Sequence, residues 1–390
     1  MTVAPPVYRY LVADLRTNAI LAELPLHDVE FNKPLNASGA FSASWKLDRT
    51  PATLRVDPYD LTTPTRRVIY ALRDDRPIWG GIIWTAEYDS EADTVRIGAG
   101  EFWSYFDHRK LVPVLDLAER ADGTRAAPDP YYIAGLSVDL VDVEQNDIAR
   151  HLVQLAQAHA GGDIGVEVDD TSSGIWRTRH YYGHSLADVG ETLRQLCNVI
   201  DGPDIVFDVA PGRDGRIRRI LRLGTPTLGQ QGSGHVWEYR ADGGNVLRYS
   251  WPRDGTRMVT RAYATGDGVD LGTPIAVTED RGALATWPLL ESETLYSSVL
   301  EYDTLQGHAD SDQHTGRLPV VLPRITVRGD VAPTAAEIDR GDDGRLVLAP
   351  DLWHRHGVDT AVRVVDMKFT PSQDAERVEL TLAPLLDDIA

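Results

Sequence analysis

Alternation of apolar and polar residues dominates both ends of the chain. Phe41, Ala43, Trp45 and Leu47 alternate with Ser and Lys, and this period of two predicts a strand with one buried face. About six or seven antiparallel strands are predicted in residues 1–110, a number typical of a small barrel or sandwich. They include residues 7–15, 19–24, 54–56 and 67–72.

The β pattern resumes after Gly244 and ends in a predicted hairpin of residues 360–370 and 376–384. Strict alternation places two sets of residues of its first strand on opposite faces. These sets are Val362, Val364, Asp366 and Lys368 on one face, and Val365, Met367 and Phe369 on the other.

Residues 76–111 carry the densest apolar pattern. Residues 78–88 predict a strand that is buried on much of both faces, and residues 94–99 return as its hairpin partner. Gly80 and Gly81 in the middle of the first strand predict a bulge, a bend or a close approach of another part of the chain. Phe102, Trp103, Tyr105 and Phe106 follow at helical spacing and are expected to cap the open end of a small barrel.

The middle of the chain predicts helices. One helix is expected from an N-cap at Asn146 to Gly161, and a second from an N-cap at Ser185 to Asp201. We therefore predict an α+β fold in which two β-barrel-like domains, residues 1–142 and 238–390, flank a small α/β insert domain, residues 143–237. A third helix is predicted for residues 289–306, within the last domain.

Composition and charge narrow the range of possible functions. The 390 residues are 42% hydrophobic and 25% charged, as in globular proteins, and the net charge is −20. This acidity argues against a dedicated nucleic-acid or anionic-membrane binder. Only four of the 39 basic residues are Lys, a bias associated with GC-rich genomes.

Cys197 is the only cysteine, which excludes an intramolecular disulfide and a cysteine-based zinc site. Without a signal peptide or an apolar run of membrane-spanning length, the chain is expected to be made in the cytoplasm.

None of the candidate chemical motifs is complete or distinctive enough to assign a catalytic, cofactor-binding or metal-binding residue, and no enzyme activity is expected. They are the histidine pair His354 and His356, Ser233 in its Gly-rich loop of residues 229–234, the Asp310 and Asp312 pair, the Glu291 and Glu293 pair, the tripeptides at Arg328 and Arg340, and the sequon at Asn36. The nine Trp are spread through every segment, which favours packing over a sugar-binding groove.

Several phrases of the sequence resemble the minor tail proteins, or tail-hub proteins, of long-tailed (siphovirus-type) bacteriophages of GC-rich hosts. Two of them are Pro77-Ile-Trp-Gly-Gly-Ile-Ile-Trp84 and Asp147-Ile-Ala-Arg-His-Leu-Val153. The others are residues 8–18, 21–25, 36–43 and 102–109. The likeness extends over nearly the full length and is thin between residues 224 and 331.

This resemblance implies a structural role in the virion. Two related β-barrel tube domains in one subunit would let a homotrimer mimic a six-fold ring that continues the tail tube, with the insert outside the ring. The implied partners are the distal tail protein, the tape-measure protein and tail-fibre or receptor-binding proteins, and DNA would pass through the ring without specific binding. The implied location is the tail tip.

Two alternatives remain open from the sequence. One is a carbohydrate-binding or carbohydrate-cleaving tail protein that acts on the host cell wall, and the other is a tail-fibre adaptor.

Overall fold

We analysed a computed structural model of the 390-residue chain. It describes residues 6–48, 56–199, 201–240, 244–266, 268, 270–296, 302–329, 331–371 and 376–385. Within these ranges the chain forms 25 strands and five α-helices, so the structure is mostly β with few helices. The strand predicted at residues 54–56 and the turn predicted after residue 371 lie largely outside the described residues.

Seven antiparallel strands form what we call the N-terminal sheet. They are β1 (Tyr8–Asp14), β2 (Ile20–Glu23), β3 (His27–Pro34), β4 (Ala40–Lys46), β5 (Arg67–Arg73), β6 (Arg76–Asp89) and β7 (Thr94–Glu101). Their hydrogen-bonded order is β2–β1–β5–β6–β7–β4–β3. Two short helices accompany the sheet, α1 (Pro58–Leu61) and α2 (Trp103–Phe106).

Local sequence explains the central hairpins of this sheet. Asp74 and Asp75 form a two-residue turn between β5 and β6, with φ values of 49° and 62°. Asp tolerates this left-handed conformation, which tight hairpins require. A Cβ on Gly80 would lie 2.6 Å from Cγ1 of Val209, and a Cβ on Gly81 would lie 2.2 Å from the carbonyl oxygen of Gly100. The close approach predicted at this glycine pair is therefore confirmed.

The middle module contains two main helices packed beside short sheets. Its strands are β8 (Ala118–Glu119), β9 (Arg125–Ala126), β10 (Ser137–Glu144), β11 (Val166–Val168), β12 (Trp176–Tyr182), β13 (Ile205–Pro211) and β14 (Ile217–Leu223), and its helices are α3 (Gln145–Ala158) and α4 (Val189–Cys197). The predicted N-caps were wrong by a few residues. The carboxylate of Glu144 caps α3, and α4 begins after Asp188, because Ser185 lies in a preceding 3-10 turn.

Six strands close into a C-terminal barrel. They are β15 (Val236–Tyr239), β16 (Val246–Ser250), β22 (Arg324–Arg328), β23 (Asp343–Leu348), β24 (Val358–Thr370) and β25 (Arg377–Pro384). Their order is β24–β23–β15–β16–β22–β25, and pairing between β24 and β25 closes the ring. The last two strands confirm the predicted terminal hairpin.

A satellite module is inserted between β16 and β22. It consists of β17 (Arg253–Asp254), β18 (Arg261–Thr265), β19 (Ile275–Glu279), β20 (Glu291–Leu295), α5 (Tyr302–Gly316) and β21 (Val320–Val321). The helix predicted for residues 289–306 was therefore wrong over its first half, where β20 pairs in parallel with β18. The spacing of the leucines fits a helix. However, pairing with β18 satisfies the backbone hydrogen bonds of these residues in a sheet instead.

The N-terminal sheet and the C-terminal barrel share one strand order. The series β1–β5–β6–β7–β4–β3 matches β15–β23–β24–β25–β22–β16, in which the strands also follow the same sequence order. The match is not complete, since β1 pairs antiparallel with β5 whereas β15 pairs parallel with β23. The sheets join edge to edge where β3 pairs with β24, which gives one sheet of 13 strands.

A bulge at the same place in each series strengthens the match. The register of β6 against β7 shifts between Ile83 and Thr85, and that of β24 against β25 shifts between Val364 and Asp366. The extra residue at Val365 reverses the alternation that the sequence predicted. As a result, Met367 and Phe369 are buried in the same core as Val362 and Val364, and the prediction of opposite faces was wrong.

Two large hydrophobic cores lie on opposite faces of the N-terminal sheet. One core is continuous from this sheet into the C-terminal barrel, and the other joins the sheet to the middle module. Phe102, Trp103 and Phe106 belong to the second core, and the ring of Phe106 stacks on that of Phe207 with centroids 4.9 Å apart. These aromatic residues therefore attach the module to the sheet, and the expectation that they cap a barrel was wrong.

Candidate assembly site

The joint between the two β regions is built on a short antiparallel ladder. Phe31 on β3 is opposite Phe369 on β24, and Pro34 is opposite Asp366. The two Phe rings stack with centroids 5.0 Å apart. Residues of both strands thus complete one another's hydrogen bonds and cover one another's apolar faces, so the edge of each sheet is covered at this point.

Arg340 connects three parts of the chain beneath this ladder. Its guanidinium is almost fully buried and donates to both carboxylate oxygens of Glu101 at 3.2 Å. It also donates to the carbonyl oxygens of Pro34 and Phe207, each at 3.1 Å. Because a buried guanidinium needs several acceptors, this single side chain fixes the N-terminal sheet, the middle module and the barrel relative to one another.

A second set of ion pairs surrounds Arg340. Asp339 pairs with Lys33 at 3.3 Å and with Arg222 at 3.0 Å. Arg222 pairs in turn with Asp208 at 2.8 Å. These residues again come from the barrel, the N-terminal sheet and the middle module, which explains why no local sequence motif revealed them.

The surroundings shift the pKa values of Glu101 and Asp339 in opposite directions. Burial raises the pKa of Glu101 to about 7, although the nearby Arg340 opposes the shift. Burial also acts to raise the pKa of Asp339, but Lys33, Arg340 and Arg222 outweigh it and hold that pKa below its ordinary value. Asp339 is therefore ionised at neutral pH, whereas the charge of Glu101 changes near pH 7.

Asp204 forms a further link on the same side of the joint. Its carboxylate accepts from the Asn36 side chain at 3.0 Å and from the Leu228 backbone N–H at 2.8 Å, and it pairs with Arg363. The Asn36 carbonyl oxygen accepts from the Ile205 backbone N–H at 2.7 Å. The side chain of the glycosylation sequon is therefore engaged inside the joint.

A separate buried pair ties β5 to the loop before β25. The carboxylate of Glu376 is 1% exposed and accepts from Arg73 at 2.8 Å and 2.7 Å. The hydroxyl of Tyr8 donates to the same carboxylate. Charge-assisted, bidentate pairs of this kind fix geometry more strongly than a single hydrogen bond does.

Arg219 anchors the first hairpin of the chain to the middle module. Its buried guanidinium donates to the Leu15 carbonyl at 2.6 Å, to the Tyr70 hydroxyl at 2.8 Å and to the Asn18 side chain at 3.0 Å. It also lies over the ring of Phe102, 5.0 Å from the centroid. This contact requires the turn at Asn18, whose φ is 55°.

The motifs considered from the sequence do not combine into a chemical centre. His354 contacts the Tyr249 hydroxyl at 3.2 Å in the loop after β23, whereas His356 is exposed. Across the described residues, no three His, Cys, Asp or Glu side chains are grouped as a metal site would require. The Arg340 and Asp342 side chains of one tripeptide are buried and cannot present it for adhesion. Residue 330 of the other tripeptide lies outside the described residues.

The two acidic pairs have structural uses. Glu291 and Glu293 share one face of strand β20, where Glu291 pairs with Arg261 at 3.0 Å. Asp310 and Asp312 lie on α5, and Asp312 accepts from the Tyr296 hydroxyl at 2.9 Å. Ser233 uses its hydroxyl to donate to the Asp343 backbone carbonyl.

Tryptophan burial favours packing over sugar binding. Trp45, Trp79, Trp103 and Trp237 are almost fully buried. The well-exposed members lie on three different elements or loops, at Trp176 on β12, Trp287 before β20 and Trp353 after β23.

An apolar groove of about 530 Å³ lies along the outer half of β6. Ala86 and Tyr88 form its floor, and Val95 and Leu47 extend it. The segment around α1 forms its opposite wall, with Pro58, Tyr59, Thr62, Thr63 and Pro64. The groove faces the edge of β6 that carries no strand in the described part of the chain.

None of the helices formed by the described residues has the length and apolar character needed to cross a bilayer.

Comparisons with known proteins give structural matches only. No protein-family model matches the chain, and no curated protein matches its sequence. The tail protein from Neisseria meningitidis MC58 is 13% identical, with 97% of each chain covered and a TM-score of 0.57. The 43 kDa tail protein of prophage MuSo2 from Shewanella oneidensis is 10% identical, with 96% of this chain and 98% of that chain covered and a TM-score of 0.58.

A third match is a chain of a protein complex from Francisella. The Francisella PdpA-VgrG complex contains a chain that is 8% identical, with 97% of this chain and 52% of that chain covered and a TM-score of 0.52. At such low identities the likeness concerns the fold. The chain therefore has the fold of phage tail proteins over nearly its whole length, as the resemblance in its sequence implied.

Proposed function

We propose that this chain is a structural subunit of a phage tail, and specifically a hub subunit at the tail tip. In this role it forms a ring that continues the tail tube and anchors the proteins that recognise the host. The proposal is supported by the full-length likeness to two tail proteins and by the internal repetition of one strand order.

The observation that carries the proposal is the edge-to-edge joint of the two β regions. One chain holds two blocks with the same strand order, the N-terminal sheet and the C-terminal barrel. Pairing of β3 with β24 joins these two blocks. Three such chains supply six blocks, which is the number needed to continue a six-fold tube. The N-terminal sheet, within residues 1–142, and the C-terminal barrel, within residues 238–390 apart from the start of β15, would form the two tube domains. The middle module and the satellite module would lie outside the ring.

The buried ion network suits this role. Arg340, Asp339 and Arg222 fix the angle between the two blocks through contacts on all three parts of the chain. A ring can close only if that angle is the same in every subunit. These charged side chains hold the three parts of the chain together, and this structural use is consistent with a non-enzymatic function.

The expected neighbours follow from the proposed position. They are the distal tail protein, the tape-measure protein and the tail-fibre or receptor-binding proteins, and DNA passes through the ring without specific binding. Three copies of the chain form the ring as a homotrimer.

Immunogold electron microscopy of purified particles tests the function. Antibodies against this chain should label the end of the tail distal to the capsid. As a control, an antiserum from which the specific antibodies have been removed with the purified protein should no longer label this end of the tail. Labelling of the capsid, labelling along the tail shaft, or absence of the chain from particles would contradict the proposal.

A further inference from the structure

The outer half of β6 has an open edge where its counterpart β24 has a covered one. Both strands extend beyond their partners, β5 and β23, and both then continue past a bulge. The outer half of β24 pairs with β3 through residues 366–369. Within the described residues, the corresponding edge of β6 pairs with no strand.

Aligning the two bulges matches individual residues of the two strands. Ala86 corresponds to Met367, and Tyr88 corresponds to Phe369, which is 3% exposed beneath Phe31. Tyr88, by contrast, is 55% exposed in the groove along β6. The same position in the fold is therefore apolar in both blocks, but only the block that has received a strand buries it.

The wall of the groove repeats the pattern. The backbone N–H of Thr65 donates to Ile83 at 2.8 Å, and that of Gly341 donates to Val364 at the same distance. These matching bonds align the segment around α1 with the segment before Gly341, and Tyr59 then corresponds to Ala335. Ala335 is 7% exposed, whereas Tyr59 is 86% exposed.

The strand that would fill the groove can be identified in the same way. β16 is the counterpart of β3, and its ladder against β22 continues without a change of register through β17 against β21. The paired strands can be followed step by step from Ile83 in the N-terminal sheet and from Val364 in the barrel. The same steps lead to Phe31 of β3 in the first case and to Trp251, directly after β16, in the second, so these two residues are counterparts. In the described part of the chain, β15 covers only the start of β16, at Val246. The edge at residues 251–254 is therefore open.

We propose that residues 251–254 of one copy of this chain pair with residues 85–88 of the next copy. The pairing is antiparallel, Trp251 lies against Tyr88, and Arg253 lies opposite Ala86. This contact rests on the proposed function and names the surface through which that ring closes. The internal joint between β3 and β24 is its template.

The geometry of association follows from using two different surfaces. A contact between the barrel of one copy and the N-terminal sheet of the next is heterologous, and such contacts form closed rings when the rotation between copies is suitable. Pro252 does not prevent the pairing, since Pro34 lies in β3 and is still paired with Asp366. Filling the groove also covers an exposed edge that would otherwise be prone to unspecific strand addition.

Disulfide cross-linking tests the register directly. Directly opposed residues of an antiparallel pair have Cα atoms about 4.5–5.5 Å apart, within the range that disulfides span. The double variant Ala86→Cys/Arg253→Cys should form covalent dimers and trimers under mild oxidation. A mixture of the single variants Ala86→Cys and Arg253→Cys should give heterodimers only. Burial raises the pKa of the native Cys197 to about 12, so it should not compete.

Two matched pairs control for chance collisions and for folding. Asn32→Cys/Lys368→Cys are opposed in the internal joint and should cross-link within one chain. Ala86→Cys/Arg213→Cys combines the same groove residue with an exposed residue of the middle module and should give no ring-sized products. Tyr88→Asp should prevent the association and leave the melting temperature unchanged. Tyr131→Asp, at another exposed tyrosine, should change neither the association nor the melting temperature.

The outcomes separate this contact from the proposed function. Trimers by mass that lack the cross-link between residues 86 and 253 would overturn the contact and leave the ring intact. A cross-linked series that continues beyond trimers would support the contact and contradict a three-copy ring. Cross-linking as strong in the control with Arg213, or a chain that remains monomeric up to its solubility limit, would overturn the contact.

Discussion

The ring of Phe369 on β24 stacks on the ring of Phe31 on β3, with centroids 5.0 Å apart and planes inclined by 12°. The strands lie in different β regions of the chain, and both rings are almost fully buried. Phe31 also contacts the rings of Phe41 and Trp79 in the N-terminal sheet. The two regions therefore share one core at their joint and are expected to unfold together.

Truncation of Phe369 tests this shared core. Phe369→Ala should lower the free energy of unfolding by about 3–5 kcal/mol, since it removes a buried ring and leaves a cavity. Denaturant unfolding, followed by Trp fluorescence and far-UV circular dichroism, measures the loss. The exposed substitution Tyr131→Ala should change stability by less than about 0.5 kcal/mol. A loss of less than about 1 kcal/mol in Phe369→Ala would show that the joint contributes little.

The ion network predicts a stability that depends on pH. The raised pKa of Glu101, about 7 against a usual 4.5, means that the folded chain binds more protons than the unfolded chain between these values. The favourable contribution of Glu101 is therefore present below about pH 4.5 and is lost as the pH rises through about 7. Arg340 limits this loss, because its charge acts to lower that pKa.

Arg340→Met should remove this protection. Breaking a buried ion pair leaves an uncompensated carboxylate, so we expect a loss of about 3–5 kcal/mol at pH 8. At pH 5 the loss should be smaller, because Glu101 is then protonated. Unfolding curves at both values measure the difference. Arg345→Met, which removes an exposed pair with Asp359, should cost about 0–1 kcal/mol at either pH. An equal loss at pH 5 and pH 8 in Arg340→Met would contradict this account of Glu101.

Gly80 provides a test of close packing between the sheet and the middle module. A Cβ at this position would lie 2.6 Å from Val209 and 2.7 Å from the Tyr70 ring. Gly80→Val should therefore destabilise the chain by more than about 1 kcal/mol. Gly234→Val is the matched control, since a Cβ there meets no atom within 4 Å. Thermal unfolding compares the two variants, and equal stability would refute the close approach.

The acidity of the chain leads to a prediction about the ring interior. Duplex DNA carries one negative charge per about 1.7 Å of its axis, so a basic wall would bind it. With a net charge of −20, we expect carboxylates to outnumber Arg and Lys on the inward face. Only side chains within about 8 Å of the DNA act strongly at physiological salt. A count of lumen-facing side chains in an assembled ring measures this, and a neutral or basic lumen would indicate that the acidity serves solubility alone.

Local patterns predicted the elements that are fixed by neighbouring residues. The hairpin of β6 and β7, the single helical turn at Trp103–Phe106 and the terminal hairpin all follow from apolar alternation and turn residues. The packed glycine pair at Gly80 and Gly81 was also predictable, because glycine inside a strand has few other uses.

Features that depend on distant parts of the chain were not predictable in this way. β20 has a helical spacing of leucines, but pairing with β18 determines its structure. The bulge at Val365 changes which face is buried, and nothing in the local alternation marks it. The network around Arg340 joins residues from three separate parts of the chain. Nothing in the tripeptide at Arg340 marks its arginine as buried, and only the tertiary structure shows that it is.

Imaging the tail tip of intact particles at side-chain resolution tests the central proposal most directly. We predict three copies of this chain in one ring, with the N-terminal sheets and C-terminal barrels alternating around six positions. Each interface between copies should bury more than about 1,000 Å². A ring of six copies, a single copy, or a ring in which the barrels contact only other barrels would contradict the proposal.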